Sequence, residues 1–137
     1  MYLLALLIAT IGAVVYHVSM KQLPAVVNPF FPLIVAYLGA AGICTFGLVF
    51  WPDGSRAWRD LNPAVAGVAL GIVGIETGIL LAYRAGWSLG YAALAMNAAS
   101  VLILAPLAWL LFRETLTPQK LAGMGLCLAG LILLVRH

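Results

Sequence analysis

Apolar residues run through this chain in five blocks, and polar residues gather in the short gaps between them. The blocks cover approximately 2–20, 30–51, 63–84, 90–112 and 119–136. About 20 apolar residues wound as a helix cross the roughly 30 Å hydrocarbon layer of a bilayer. Lipid offers no hydrogen bonds to a bare backbone, so each block is expected to be an α-helix, which satisfies its own amides. The pattern predicts an all-α integral membrane protein of five transmembrane helices, forming one transmembrane domain over 1–137.

The gaps carry the matching stop and start signals. Lys21 closes the first block, and Pro24 follows it. Asn28-Pro29 and Asn62-Pro63 each read as a cap followed by a first-turn proline, opening the second and third helices. Thr117-Pro118 has the same form before the fifth. Pro52-Asp53-Gly54 reads as a turn, and the segment 52–62 as a short polar loop in which Arg56 and Arg59 balance Asp53 and Asp60. Trp51, Trp58, Tyr83 and Trp87 fall near block ends, where aromatic rings favour the headgroup level.

The third block, PAVAGVALGIVGIETGILLAYR, holds the one acid inside any span, Glu76. An ionised, unpaired carboxylate at mid-bilayer costs at least about 3 kcal/mol, so such a residue is expected to face protein or water. At about 100° per residue, Gly67, Gly71, Gly74 and Gly78 share one face and form two consecutive Gly-x-x-x-Gly pairs. Glu76 lies on the opposite face, with Ala69, Ile72 and Tyr83. Small residues at this spacing let a second helix approach closely. The expectation is a helix with a glycine packing face and an opposite face bearing one ionisable group. Glu76 has two readings: a proton- or cation-coupling carboxylate in a transport cavity, or a protonated side chain bonded to a neighbouring helix.

Other spans supply further candidates. His17 shares a face with Lys21 and could join a relay with Glu76, or bond a carbonyl or headgroup at the interface. Tyr83 lies about two turns from Glu76 on the same face and could line a cavity, or act as an interfacial aromatic. In the fourth block Asn97 and Ser100 share a face and could bond across helices, and Pro106 predicts a kink. In the fifth, Gly123, Cys127 and Gly130 form another small-residue stripe, suited to pairing between helices or subunits. The uncharged second block reads as packing rather than chemistry, on Gly39, Gly42 and Cys44.

Composition changes the picture in one respect: it makes lipid the required solvent. The 137 residues are 65% hydrophobic and 8% charged, more apolar surface than a water-soluble domain of this size can bury. The net charge of +3 comes without any basic cluster, which argues against a nucleic-acid partner. Cys44 and Cys127 stand inside spans with no metal-ligand spacing, and no metal or cofactor is expected. No nucleophile–base constellation or phosphate loop is present, so an enzyme is not expected. The first block lacks a positive n-region and a clear cleavage site, and is read as a retained transmembrane helix.

The last part of the chain resembles one EamA-type repeat of the drug/metabolite transporter superfamily. Three pieces carry the likeness over residues 80–135. They are Ala82-Tyr83-Arg84-Ala85; then Leu104-Ala105-Pro106 with Ala108-Trp109-Leu110-Leu111-Phe112 and Glu114; then Leu116-Thr117, Gln119, Gly123 and Gly130. The first two helices are similar mainly in placement and in Lys21. Most such proteins carry two repeats of opposite orientation, so the resemblance implies one half of an inverted-repeat transporter. The segment GMGLCLAGLILL (123–134) also looks like the pairing helix of small multidrug resistance proteins. Their coupling Glu and penultimate-helix Trp correspond to Ala13 and Met96 here, so their cation-exchange chemistry does not carry over to those positions.

The resemblance and Glu76 together point to a small secondary transporter that exports or exchanges a small organic metabolite or cation. Glu76 would alternate between a protonated and a cation-paired state, with Tyr83, Asn97, Ser100 and His17 shaping the cavity. One alternative is a flippase for a lipid-linked substrate, with basic headgroup contacts such as Arg84 or Lys21. Another is a non-transporting membrane partner or assembly subunit. Five crossings would put Arg56, Arg59, Arg113 and Lys120 on one side and Lys21, Arg84 and Arg136 on the other, a near-even split that sets orientation weakly. An antiparallel homodimer, or pairing with a separate half, would then rebuild the inverted repeat in a prokaryotic inner membrane.

Overall fold

The computed structural model describes residues 2–113, 115 and 117–135. Glu114, Leu116 and Arg136, which entered the resemblance and the charge count, lie outside them. Among the described residues the fold is all-helical: α1 (Tyr2–Gln22), α2 (Phe30–Phe50), α3 (Ala64–Arg84), α4 (Leu89–Phe112) and α5 (Pro118–Val135), with a single 3-10 turn at Trp58–Asp60. Helices α1 to α4 are long and apolar enough to cross a membrane. A 21-residue helix such as α1 rises about 32 Å at about 1.5 Å per residue, the thickness of the hydrocarbon core. Helix α5 has 18 residues.

Helix starts follow local side-chain chemistry. The Phe30 amide donates to Asn28 Oδ1 at 2.9 Å, and the Ala64 amide to Asn62 Oδ1 at 3.0 Å. The Tyr91 amide donates to Ser88 Oγ and the Lys120 amide to Thr117 Oγ1, both at 3.3 Å. Each bond satisfies a first-turn donor that the helix cannot. Gly54 and Gly86 make the turns after α2 and α3 with φ of +92°, a backbone that side-chain-bearing residues avoid. In the loop after α2, Arg56 donates to the Leu48 carbonyl at 2.9 Å and so occupies one of that helix's free acceptors. The Ser55 hydroxyl donates to the Asp60 carboxylate.

The chain forms two compact units, one up to Ala85 and one from Gly86. In the first, α1 packs on α3. Residues near the C-terminal end of each helix meet, as in the His17–Tyr83 contact, so these two ends lie side by side. The buried side chains are Met20 on α1, Leu33 on α2, and Ile79, Leu80 and Tyr83 on α3. With Glu76, the α3 residues form an i, i+3, i+4, i+7 stripe, the face opposite the glycines. Inside this unit, then, α3 packs through its Glu76 face. A methyl group placed on Gly67, Gly71, Gly74 or Gly78 would meet no atom within 4 Å. The physical reason is contact area: bulky Ile79, Leu80 and Tyr83 fill the seam with α1, which bare glycines cannot do at that separation.

In the second unit α4 packs on α5. Pro106 lies inside α4, which ends on Arg113 in a left-handed conformation at φ 52°. On α5, Met124 and Leu128 are half-buried, whereas Gly123, Cys127 and Gly130 are exposed. Most large apolar side chains of both units are exposed, as lipid-facing residues are.

Candidate functional site

Glu76 is half-buried and lines a cavity of about 240 Å³ in the first unit. Two stripes complete the wall. From α1 come Tyr16, Ser19 and Met20; from α2 come Leu33, Ala36, Tyr37 and Ala40. Each stripe repeats at three- and four-residue steps, so one helical face from each element closes on the carboxylate. The lining is mostly apolar, with Glu76 as its only charged group among the described residues.

Tyr16 and Tyr37 are the other notable polar groups. Both phenol oxygens are buried, and among the described residues neither has a hydrogen-bond partner. Buried hydroxyls are nearly always bonded, so two unpartnered ones on a single wall call for a ligand or water between them. A carboxylate flanked by two aromatic rings is also suited to an organic cation. The charge pairs with the carboxylate, and ring faces attract what the carboxylate does not reach.

His17 and Tyr83 come together, though not on that wall. The Tyr83 hydroxyl and His17 Nδ1 are 2.7 Å apart, and the two rings meet edge to face with centroids 6.1 Å apart. Tyr16 packs edge-on against His17 at 5.0 Å. Whichever of its two readings holds, His17 makes a bond to Tyr83 that ties α1 to α3. Lys21 Nζ lies 5.4 Å from the Tyr83 ring centroid, within cation–π range. Arg84 Nη2 donates to the carbonyls of Val27 at 2.7 Å and Pro24 at 3.3 Å, fastening the α1–α2 loop to the end of α3. Asn97 and Ser100 are exposed on α4, in the second unit.

Tyr16 and Tyr37 are the residues that sequence reasoning missed. Their only signal was a phenol placed well inside a span, away from the interfacial belt that usually holds tyrosine. The second block, read as packing only, supplies one of them.

Among known proteins, the family model described as the EamA-like transporter family matches residues 1–136. No curated protein and no solved structure matches the chain.

Proposed function

The chain belongs to the EamA-like transporter family, and from that premise we propose that it is a small secondary transporter whose cargo is a small organic cation bound at Glu76. The observation that carries this reading is the cavity around Glu76, with its apolar wall and two partnerless phenols. Protonated, Glu76 is compatible with the lipid core when the cavity is empty. Deprotonated, it pairs with the cation, so proton and cargo compete for one group and move in opposite directions. Tyr16 and Tyr37 donate to, or stack on, the cargo. His17 and Tyr83 hold α1 against α3 at the cavity's end. Asn97 and Ser100 are further candidates for polar contact with cargo.

We take α5 as a fifth span and the whole chain as one transmembrane domain, half of an inverted-repeat transporter in a prokaryotic inner membrane. Two copies, or this chain and a separate half, would make the working unit. The open faces of Gly67, Gly71, Gly74 and Gly78 on α3, and of Gly123, Cys127 and Gly130 on α5, support this, since close helix approach is what such stripes permit. No enzymatic step is part of the proposal.

The test is flux in proteoliposomes under an imposed pH gradient, with tetraalkylammonium ions of graded size as cargo. Glu76→Gln removes the charge and keeps the shape. Loss of one charge-assisted contact is expected to weaken cargo binding about 10- to 150-fold and to abolish gradient-driven flux. Glu76→Asp is expected to retain partial flux. Flux in Glu76→Gln equal to that of the unaltered chain would rule the reading out.

A further inference from the structure

Two cavities of the first unit follow one another along α1 and α3, and the same two side chains stand between them. We propose that Met20 and Leu23 form a gate between the Glu76 cavity and the aqueous face at the α1–α2 loop, and that Arg84 latches it. The proposal rests on reading the Glu76 cavity as a transport site.

The order of residues along each helix sets the cavities in series. On α1, Tyr16 and Ser19 line the first cavity and Lys21 lines the second. On α3, Glu76 lines the first, and Leu80, Tyr83 and Arg84 line the second. Arg84 is eight residues beyond Glu76, about 12 Å along the helix. The second cavity measures about 180 Å³ and lies at the C-terminal ends of both helices. Among the described residues only Met20 and Leu23 line both cavities. Met20 is buried and Leu23 half-buried. A partition of apolar side chains keeps water and charge out of the space behind it, as a hydrophobic constriction does. Methionine, unbranched and with several rotatable bonds, can clear such a passage by changing rotamer.

Leu23 belongs to the α1–α2 loop, which Arg84 holds from α3. Pro24 disfavours helical backbone at the residue before it, so α1 ends at Gln22 and Leu23 starts the loop. The Val27 amide donates to the Pro24 carbonyl at 3.3 Å, which makes 24–27 a single turn. Arg84 Nη2 donates to the carbonyls of Pro24 and Val27, the two ends of that turn. One planar guanidinium thus fixes the turn, and the turn fixes Leu23 against the Glu76 cavity. Both acceptors are neutral carbonyls, weaker partners than a carboxylate, which suits a contact that is released in each cycle. Loops that close over a site and reopen in this way set the rate of many cycles.

The experiment reads access to the cavity rather than transport. The full chain, with Cys44 and Cys127 replaced by serine, carries one cysteine at Ala36 on the wall of the Glu76 cavity. Sealed proteoliposomes are treated from outside with a membrane-impermeant, positively charged thiosulfonate. A parallel chain with its cysteine at Ala25, exposed on the loop, gives the fraction of copies with that face outward. In that fraction, labelling of Ala36→Cys is expected to be slow. Leu23→Ala or Met20→Ala is expected to speed it at least about tenfold, the worth of one buried apolar side chain. Arg84→Gln removes both loop bonds and is expected to speed it as much, about tenfold, with Arg84→Lys recovering part of the barrier. Leu23→Trp is expected to slow it. Unchanged Ala25→Cys labelling and circular dichroism in each variant separate an open gate from an unfolded chain. An Ala36→Cys rate indifferent to Leu23→Ala and Met20→Ala overturns the proposal, and one indifferent to Arg84→Gln alone overturns the latch. The assay uses no cargo and keeps Glu76, so its result is independent of flux in Glu76→Gln.

Discussion

A tyrosine hydroxyl that bonds nothing and one that bonds a neighbour should answer differently to the same deletion. Tyr16 and Tyr37 keep buried hydroxyls without partners, so replacing either by Phe removes no internal bond. Each variant is expected to unfold within about 0.5 kcal/mol of the unaltered chain, by denaturant titration in mixed micelles. Cargo affinity in the same variants is expected to fall about 2- to 10-fold, the worth of one neutral hydrogen bond. Tyr83→Phe breaks the 2.7 Å contact with His17 and is expected to destabilise by about 1 kcal/mol in that titration. If the three substitutions prove equal in stability, the cavity hydroxyls are bonded after all and the case for a bound cation weakens.

At the scale of the element, α3 is a helix with two different faces. Its Glu76–Ile79–Leu80–Tyr83 stripe packs inside the unit, while Gly67, Gly71, Gly74 and Gly78 face open space. A side chain added at Gly71 or Gly74 would start with no described atom within 4 Å of its Cβ, and leucine there would raise helix propensity by about 0.5–1 kcal/mol. The expected result is an intact helical monomer that fails to associate, read as lost energy transfer between labelled copies in liposomes. Unchanged association would leave that face to lipid. The helix starts belong to the same scale. Asn28, Asn62, Ser88 and Thr117 each bond an amide two or three residues on, and three of these caps, Asn28, Asn62 and Thr117, were legible in the sequence because they depend only on neighbours along the chain.

For the whole molecule the open question is direction in the membrane. The basic residues divide almost evenly between the two predicted sides, so the charge bias that orients most membrane proteins is weak here. A reporter cysteine at Asp53, in the α2–α3 loop, with Cys44 and Cys127 replaced, separates the possibilities. An antiparallel pair is expected to give comparable labelling from both faces of sealed membranes. Labelling from one face only would remove the antiparallel homodimer and turn attention to a separate complementary half.

Much of the fold was determined by the sequence alone, because its causes are local. Apolar length sets a span, a helix satisfies its own backbone, and a side chain caps the turn that follows it. That Glu76 is the one acid within a span was equally plain. The tertiary structure decided which faces meet. Lipid is as apolar as the side chains, so hydrophobic contrast does not mark the inward face of a membrane helix, and the choice rests on shape and contact area between distant segments. For that reason the seam ran through Ile79, Leu80 and Tyr83 rather than the glycines. Tyr16 and Tyr37 closed on Glu76 from two other helices. Lys21 and Arg84, 63 positions apart in the chain, came to share one cavity.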